Sequence, residues 1–157
     1  MNAKARDLMQ TAVLVLKESD SLLEAHQFFV RHEITGAPVI DEDGVLVGVV
    51  SIRDLIRTED GDHDVSRTVA DYFSDSSGYA NLSVDRDHLR EGLSEILVSD
   101  VMTKDPICVA PDRPVTEIAA LVREHRIHRV LVASPGSEGR LEIAGIISLF
   151  DLVSLLE

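Results

Sequence analysis

Gly48-Val49-Val50-Ser51-Ile52-Arg53-Asp54-Leu55 returns late in the chain as Gly145-Ile146-Ile147-Ser148-Leu149-Phe150-Asp151-Leu152. Each version is an aliphatic run followed at once by Ser-x-x-Asp. A hydroxyl residue with a carboxylate three positions on is the pattern that opens a helix. Each version therefore reads as a buried strand running straight into a short helix. Working outward, the flanks repeat as well. Arg6-Asp7-Leu8-Met9 corresponds to Ser99-Asp100-Val101-Met102, and Glu24, His32, Ile34 and Val39 meet Glu117, His125, Ile127 and Val132 in the same register. A longer Gly-rich turn in the second version makes the one gap. A repeat of this kind outranks other sequence signals, because a unit that short leaves apolar faces for its twin to cover.

Both copies share one grammar. An extended piece, Ala12 to Leu16 or Ile107 to Val109, precedes an amphipathic helix. In the second copy Val115, Ile118, Ala119 and Val122 fall on one helical face. Pro114 suits its first turn and Asp112 its N-cap. In the first copy Ser21-Leu22-Leu23-Glu24 is a capping box. A strand follows, Ala37 to Ile40 or Arg129 to Val132. Then comes a turn, Asp41 to Gly44 or the longer Ser134 to Gly139, and a strand, Val45 to Val50 or Ile143 to Ile147. The expected class is α/β: two β-α-β-β-α repeats packed face to face about a pseudo-twofold axis, with two clefts between them. The boundaries read as repeat 1 over 1–57, an acidic insert over 58–98 and repeat 2 over 99–157.

The 157 residues are 45% apolar and 27% charged, the balance of a globular chain. Aromatics are only 4%, so the core must be aliphatic. A net charge of −13 disfavours any broad nucleic-acid surface, though a local basic pocket can still hold a small anion. The single cysteine, Cys108, excludes an internal disulfide framework and reads as a small core residue. The apolar run Ala12 to Leu16 is too short for a membrane span or a leader. The expectation is a cytoplasmic protein with neither membrane nor nucleic-acid partner. The insert carries ten acidic and three basic residues. One short helix is expected around Val69, Tyr72 and Phe73. Another is expected around Leu89, Leu93, Ile96 and Leu97, weakened by Gly92. Because the insert lies outside the repeat, removal of 60–95 is expected to leave a folded pair.

The ordered set of motifs resembles a tandem pair of cystathionine-β-synthase (CBS) domains. The carrying residues are Asp7-Leu8-Met9 and Asp100-Val101-Met102-Thr103, Val109 to Val115, Ile34 to Ile40 with Ile127 to Val132, and the two closing segments quoted first. The resemblance implies a disc that senses adenosine-containing ligands, has no catalytic residues and commonly dimerises. Leu55-Ile56 and Leu152, Val153, Leu155 and Leu156 offer the apolar surface for that dimer.

Ser51 with Asp54 and Ser148 with Asp151 have two readings. Each aspartate can accept bonds from vicinal ribose hydroxyls, while each serine or helix N–H faces sugar or phosphate. Alternatively each pair only caps its own helix. The resemblance favours ribose, and the two roles are compatible. His128-Arg129 suits phosphate, Arg as a fixed charge and His as a donor when protonated. The alternative is an exposed pair at a helix C-terminus. The first copy has Thr35-Gly36 there and offers Arg53 instead, where the second has Phe150. Adenine contacts are expected from Val13, Ala37 and Pro38 in one copy and Ile107, Val130 and Leu131 in the other, against the alternative of plain core packing. Thr11 and Thr103 are candidates for sugar or phosphate. His125-x-x-His128 with Glu124 gathers too few ligands for a metal. The leading reading is a regulatory module for AMP, ADP, ATP, NAD or S-adenosylmethionine, with magnesium only alongside ATP, acting through a homodimer or an effector protein. The alternative is a structural or protein-interaction module with no ligand.

Overall fold

The structure, a computed structural model, describes residues 2–56 and 86–156. Its elements fall into two compact units, each built round one repeat. The N-unit comprises Leu16–Asp41 and Val47–Lys104; the C-unit comprises Met1–Val15, Glu42–Leu46 and Asp105–Glu157.

The N-unit holds a four-stranded sheet in the order β1 (Leu16–Lys17), β2 (Gly36–Ile40), β3 (Leu46–Ser51), β4 (Thr103–Lys104). Strand β1 runs parallel to β2 with Leu16 opposite Val39. A parallel pair needs a crossover, and helix α2 (Leu22–His32) supplies it. The expected capping box opens α2: the Glu24 N–H donates to Ser21 Oγ at 3.1 Å and the Ser21 N–H to Glu24 Oε2 at 2.8 Å. The helix stops at Glu33, which is left-handed with φ 53°. Leu22, Ala25 and Phe29 of α2 pack with Val39, Val50 and Leu55. Leu55 belongs to helix α3 (Ile52–Ile56) and is 0% exposed, so it is core and not part of a dimer face.

The N-unit also takes in the end of the acidic connection. Helix α4 (Arg86–Glu95) packs on α2, and its Leu93, 1% exposed, lies in the core. Gly92 sits in open space and does not interrupt the helix. Removing 60–95 therefore removes a core residue, which argues against a dispensable insert. The helix expected around Val69, Tyr72 and Phe73 lies outside the described residues.

The C-unit sheet has three strands, β5 (Cys108–Val109), β6 (Arg129–Pro135) and β7 (Leu141–Ser148). Strand β5 is parallel to β6, with Cys108 opposite Leu131. Strands β6 and β7 are antiparallel from Arg129–Ser148 to Pro135–Leu141, with an irregularity between Val132 and Ala133. Ser134 and Pro135, expected in the turn, are strand residues, because the four added residues lengthen the hairpin before a 3-10 turn at Ser137–Gly139. Helix α6 (Val115–His125) starts after Pro114, which is itself the N-cap. Asp112 does not cap it. Its carboxylate instead pairs with Arg6 at 2.9 Å and Lys4 at 3.7 Å.

Each repeat gives its opening segment to the other unit. Helix α1 (Ala5–Leu8) belongs to the C-unit, where the Ala5 N–H donates to the Arg113 carbonyl at 2.9 Å. Helix α5 (Val98–Val101) belongs to the N-unit, where the Val98 N–H donates to the Asp20 carbonyl at 2.8 Å. Ala5 and Val98 are equivalent in the repeat and both are fully buried. After α1, Gln10 pairs with Ile146 of β7; after α5, Thr103 pairs with Val49 of β3. Gly48 and Gly145 are needed for this approach. A Cβ on Gly48 would lie 2.7 Å from the Thr103 carbonyl oxygen, and one on Gly145 would lie 2.8 Å from that of Gln10. Of the extended piece expected from Ala12 to Leu16, only Leu16 joins a strand, because the chain there leaves the C-unit for the N-unit.

Candidate functional site

In each unit a strand end, a short helix and the start of the middle strand meet. In the N-unit the Ser51 N–H donates to Asp54 Oδ2 at 2.8 Å and the Ser51 hydroxyl to the same oxygen at 3.1 Å. The Ile52 N–H donates to the Thr35 carbonyl at 3.0 Å, which holds Thr35-Gly36 beside Ser51. Gly36 has no room to spare there: a Cβ would approach the Val50 carbonyl oxygen to 3.3 Å and Ser51 Cβ to 3.6 Å. Thr35, Gly36, Ser51 and Asp54 are thus brought together. Thr103 lies on β4 beside β3, and the Arg53 side chain is exposed. Ala37 packs in the N-unit core, and Pro38 is buried.

The C-unit repeats the arrangement at helix α7 (Leu149–Val153). The Ser148 N–H and hydroxyl both donate to Asp151 Oδ2 at 2.7 Å, and the Asp151 N–H returns a bond to Ser148 Oγ at 3.3 Å. The Leu149 N–H donates to the His128 carbonyl at 2.9 Å, the counterpart of the Ile52–Thr35 bond. Arg129 stands opposite Ser148, so His128, Arg129, Ser148 and Asp151 share one end of the sheet, with both basic side chains exposed. Val130 packs in the core with Val132 and Ile147. Leu131, pointing the other way by strand alternation, is also buried. Sequence places Val13 beside Ala37 and Pro38 for adenine, and Thr11 with Thr103 for sugar or phosphate. Thr11 and Val13 fall instead in the C-unit with Ile107, Val130 and Leu131, because the opening segment is exchanged.

Sequence reasoning missed Gln10. Its Nε2 donates to Asp151 Oδ1 at 3.1 Å. The repeat register could have found it, since Gln10 is the counterpart of Thr103 and the bridge to Ile146 is the counterpart of Val49–Thr103. Burial pushes the Asp151 carboxyl up, but the Ser148 N–H, the Ser148 hydroxyl and the Gln10 amide outweigh it, and the group sits below its usual value. Asp151 is therefore a charged acceptor at neutral pH. Burial pushes the Cys108 thiol up, away from reactivity.

The CBS domain family matches residues 5–61 and again 98–157, most of the chain. The chain belongs to the CBS-domain family, as a tandem pair. Its fold is similar to that of the CBS domain of a CBS-domain-containing membrane protein from Sphaerobacter thermophilus. The identity is 29% and the TM-score 0.72, over 99% of this chain and 89% of that one. CBSX2 of Arabidopsis thaliana, solved in complex with AMP, is 27% identical with a TM-score of 0.66, over 98% of this chain and 95% of that one. Among curated proteins, the uncharacterized MJ1426 of Methanocaldococcus jannaschii is 28% identical over 96% of this CBS pair and 89% of its own length. An inosine-5'-monophosphate dehydrogenase of Staphylococcus epidermidis is 29% identical over 145 residues, which span only 22% of that enzyme. Among the described residues, no helix of this CBS pair is long and apolar enough to cross a membrane.

Proposed function

We propose that this CBS pair is a regulatory module that binds an adenosine nucleotide, AMP first among them, with Asp54 and Asp151 as the ribose acceptors. The observation that carries the reading is how each carboxylate is divided. Capping uses Oδ2 alone in both units, and Oδ1 takes no part in the cap. Capping and ribose binding are then compatible. The similarity to CBSX2, whose complex holds AMP, supports the same ligand class. Arg129 and His128 supply positive charge to phosphate in the C-unit and Arg53 in the N-unit. Regulation would pass to a second copy or an effector protein, because a ligand shifts an equilibrium only through unequal affinity for two arrangements. For a second copy the apolar face is offered by α7 and the 3-10 turn Ser154–Leu156 after it, where Phe150 is 86% and Leu156 85% exposed. Phe150→Glu should then reduce the mass found by light scattering; an unchanged monomer mass in both proteins removes the homodimer.

Calorimetric titration with AMP and with its 2',3'-dideoxy analogue tests the ribose assignment. AMP should bind more tightly by about 1.5–3 kcal/mol, the worth of hydrogen bonds to a charged group. Equal affinities would refute it. The second reading is an interaction module with no ligand, favoured by the fact that every bond of Asp54 is accounted for by capping. Absence of heat with any of AMP, ADP, ATP, NAD or S-adenosylmethionine would select it.

A further inference from the structure

The two carboxylates differ in what holds the second oxygen. Asp151 Oδ1 accepts from the Gln10 amide, whereas among the described residues Asp54 Oδ1 has no hydrogen-bond partner. The counterpart of Gln10 in the N-unit is Thr103, whose shorter side chain makes no bond to Asp54. A vicinal diol grips a carboxylate best by giving one O–H to each oxygen or both to a free one. In the N-unit the outer oxygen is available. In the C-unit it is taken by a residue of the same unit.

We propose that Gln10 is the specificity-determining residue that makes the two units unequal toward a ribose diol: it holds the outer oxygen of Asp151, so a diol reaches that carboxylate only by displacing the Gln10 amide, and adenosine fills the Asp54 site first. This rests on the ribose reading above. Gln10 is a positioning residue here and acts through Asp151. The contact is solvent-exposed, so a displaced amide returns to water and the penalty is about one net hydrogen bond. The backbone of Gln10 is fixed by its paired bonds with Ile146, at 2.9 and 3.0 Å. Only its side chain has to turn. Thr103 is held by the same backbone pairing and leaves Asp54 open, so the inequality comes from the side chain and not from the fold.

The test uses the full chain with Asp54→Asn, which keeps a capping oxygen while weakening the N-unit site, so that calorimetry reads the C-unit. Adding Gln10→Ala should tighten adenosine binding about three- to tenfold, the range expected for one hydrogen bond. The gain should vanish with 2',3'-dideoxyadenosine. Independently of any ligand, the Asp151 carboxyl carbon, followed by NMR against pH, should titrate at a higher pH in Gln10→Ala, because a bond to the charged form is lost. Adenosine binding that is unchanged or weaker in the double variant overturns the inequality and leaves the ribose reading standing. No adenosine binding by the parent or by either variant overturns both. An Asp151 titration that does not move in Gln10→Ala overturns the contact itself.

Discussion

The N-unit and the C-unit are built on one plan and differ where ligands would meet them. Both close a sheet with a Ser-x-x-Asp cap, both hold the start of the middle strand by an N–H to carbonyl bond of 2.9 or 3.0 Å, and both carry a borrowed opening segment across a glycine. Around this shared frame the side chains diverge. Thr35-Gly36 corresponds to His128-Arg129, Arg53 to Phe150, and Thr103 to Gln10 in the repeat register. The C-unit hairpin is longer, and in the N-unit α4 packs on α2. The comparison teaches that backbone pairing and capping fix the frame, and that the differences at the site fall on side chains the frame does not use.

The largest expected break in the comparison is Leu93→Ala. Among the described residues Leu93 packs in the N-unit core only, and deleting a buried leucine side chain costs about 2–5 kcal/mol. Amide exchange should accelerate in α2 and β2 while β6 and β7 hold their protection; equal loss in both units would show that they unfold as one. The same residue marks a limit of sequence reading. The repeat, the α/β class and the box at Ser21–Glu24 were legible, because they depend on local hydrogen bonds and periodicity. The place of Leu93 was not, since a helix in an acidic stretch does not announce what it packs against. The exchange of α1 and α5 was equally hidden: Ala5 and Val98 fit either core, and a repeat says which segments are alike, not which copy each one joins. Asp112 misled because a carboxylate before a helix has two outlets, the helix N–H groups and nearby cations, and Arg6 arrives only through the exchange. The carboxylates of the site were readable from Ser-x-x-Asp, but Gln10 was not, because its partner is far along the chain.

A smaller effect sharpens the likeness of the units. Gly48→Ala and Gly145→Ala should each destabilise by about 1–3 kcal/mol, the range for overpacking a tight site. A Cβ at either meets a backbone carbonyl oxygen at 2.7 or 2.8 Å. Exchange at Thr103 should rise in the first variant and at Gln10 in the second. A reversed pattern would contradict the borrowed segments.

The smallest effect depends on pH and separates the units again. His26 is buried in α2, where its counterpart in α6 is Ala119, and burial holds its pKa below the usual value. Below the ordinary histidine pKa, the unfolded chain then takes up a proton that the folded N-unit does not. The contribution of His26 is complete above that pH and is lost as pH falls toward the folded-state value. Denaturant melts from pH 8 to pH 5, spanning the ordinary value of about 6.5, should show a decline that His26→Gln flattens. A decline of equal slope in the variant would assign it to other groups.

The ribose role of the paired carboxylates is tested most directly by AMP titration of Asp54→Asn/Asp151→Asn beside the parent, with melting curves for both. Asparagine keeps an oxygen for each cap, so the double variant should melt cooperatively and bind AMP at least about tenfold more weakly, the loss expected from bonds to a charged acceptor. A double variant that melts as the parent does and binds AMP with undiminished affinity would contradict the account.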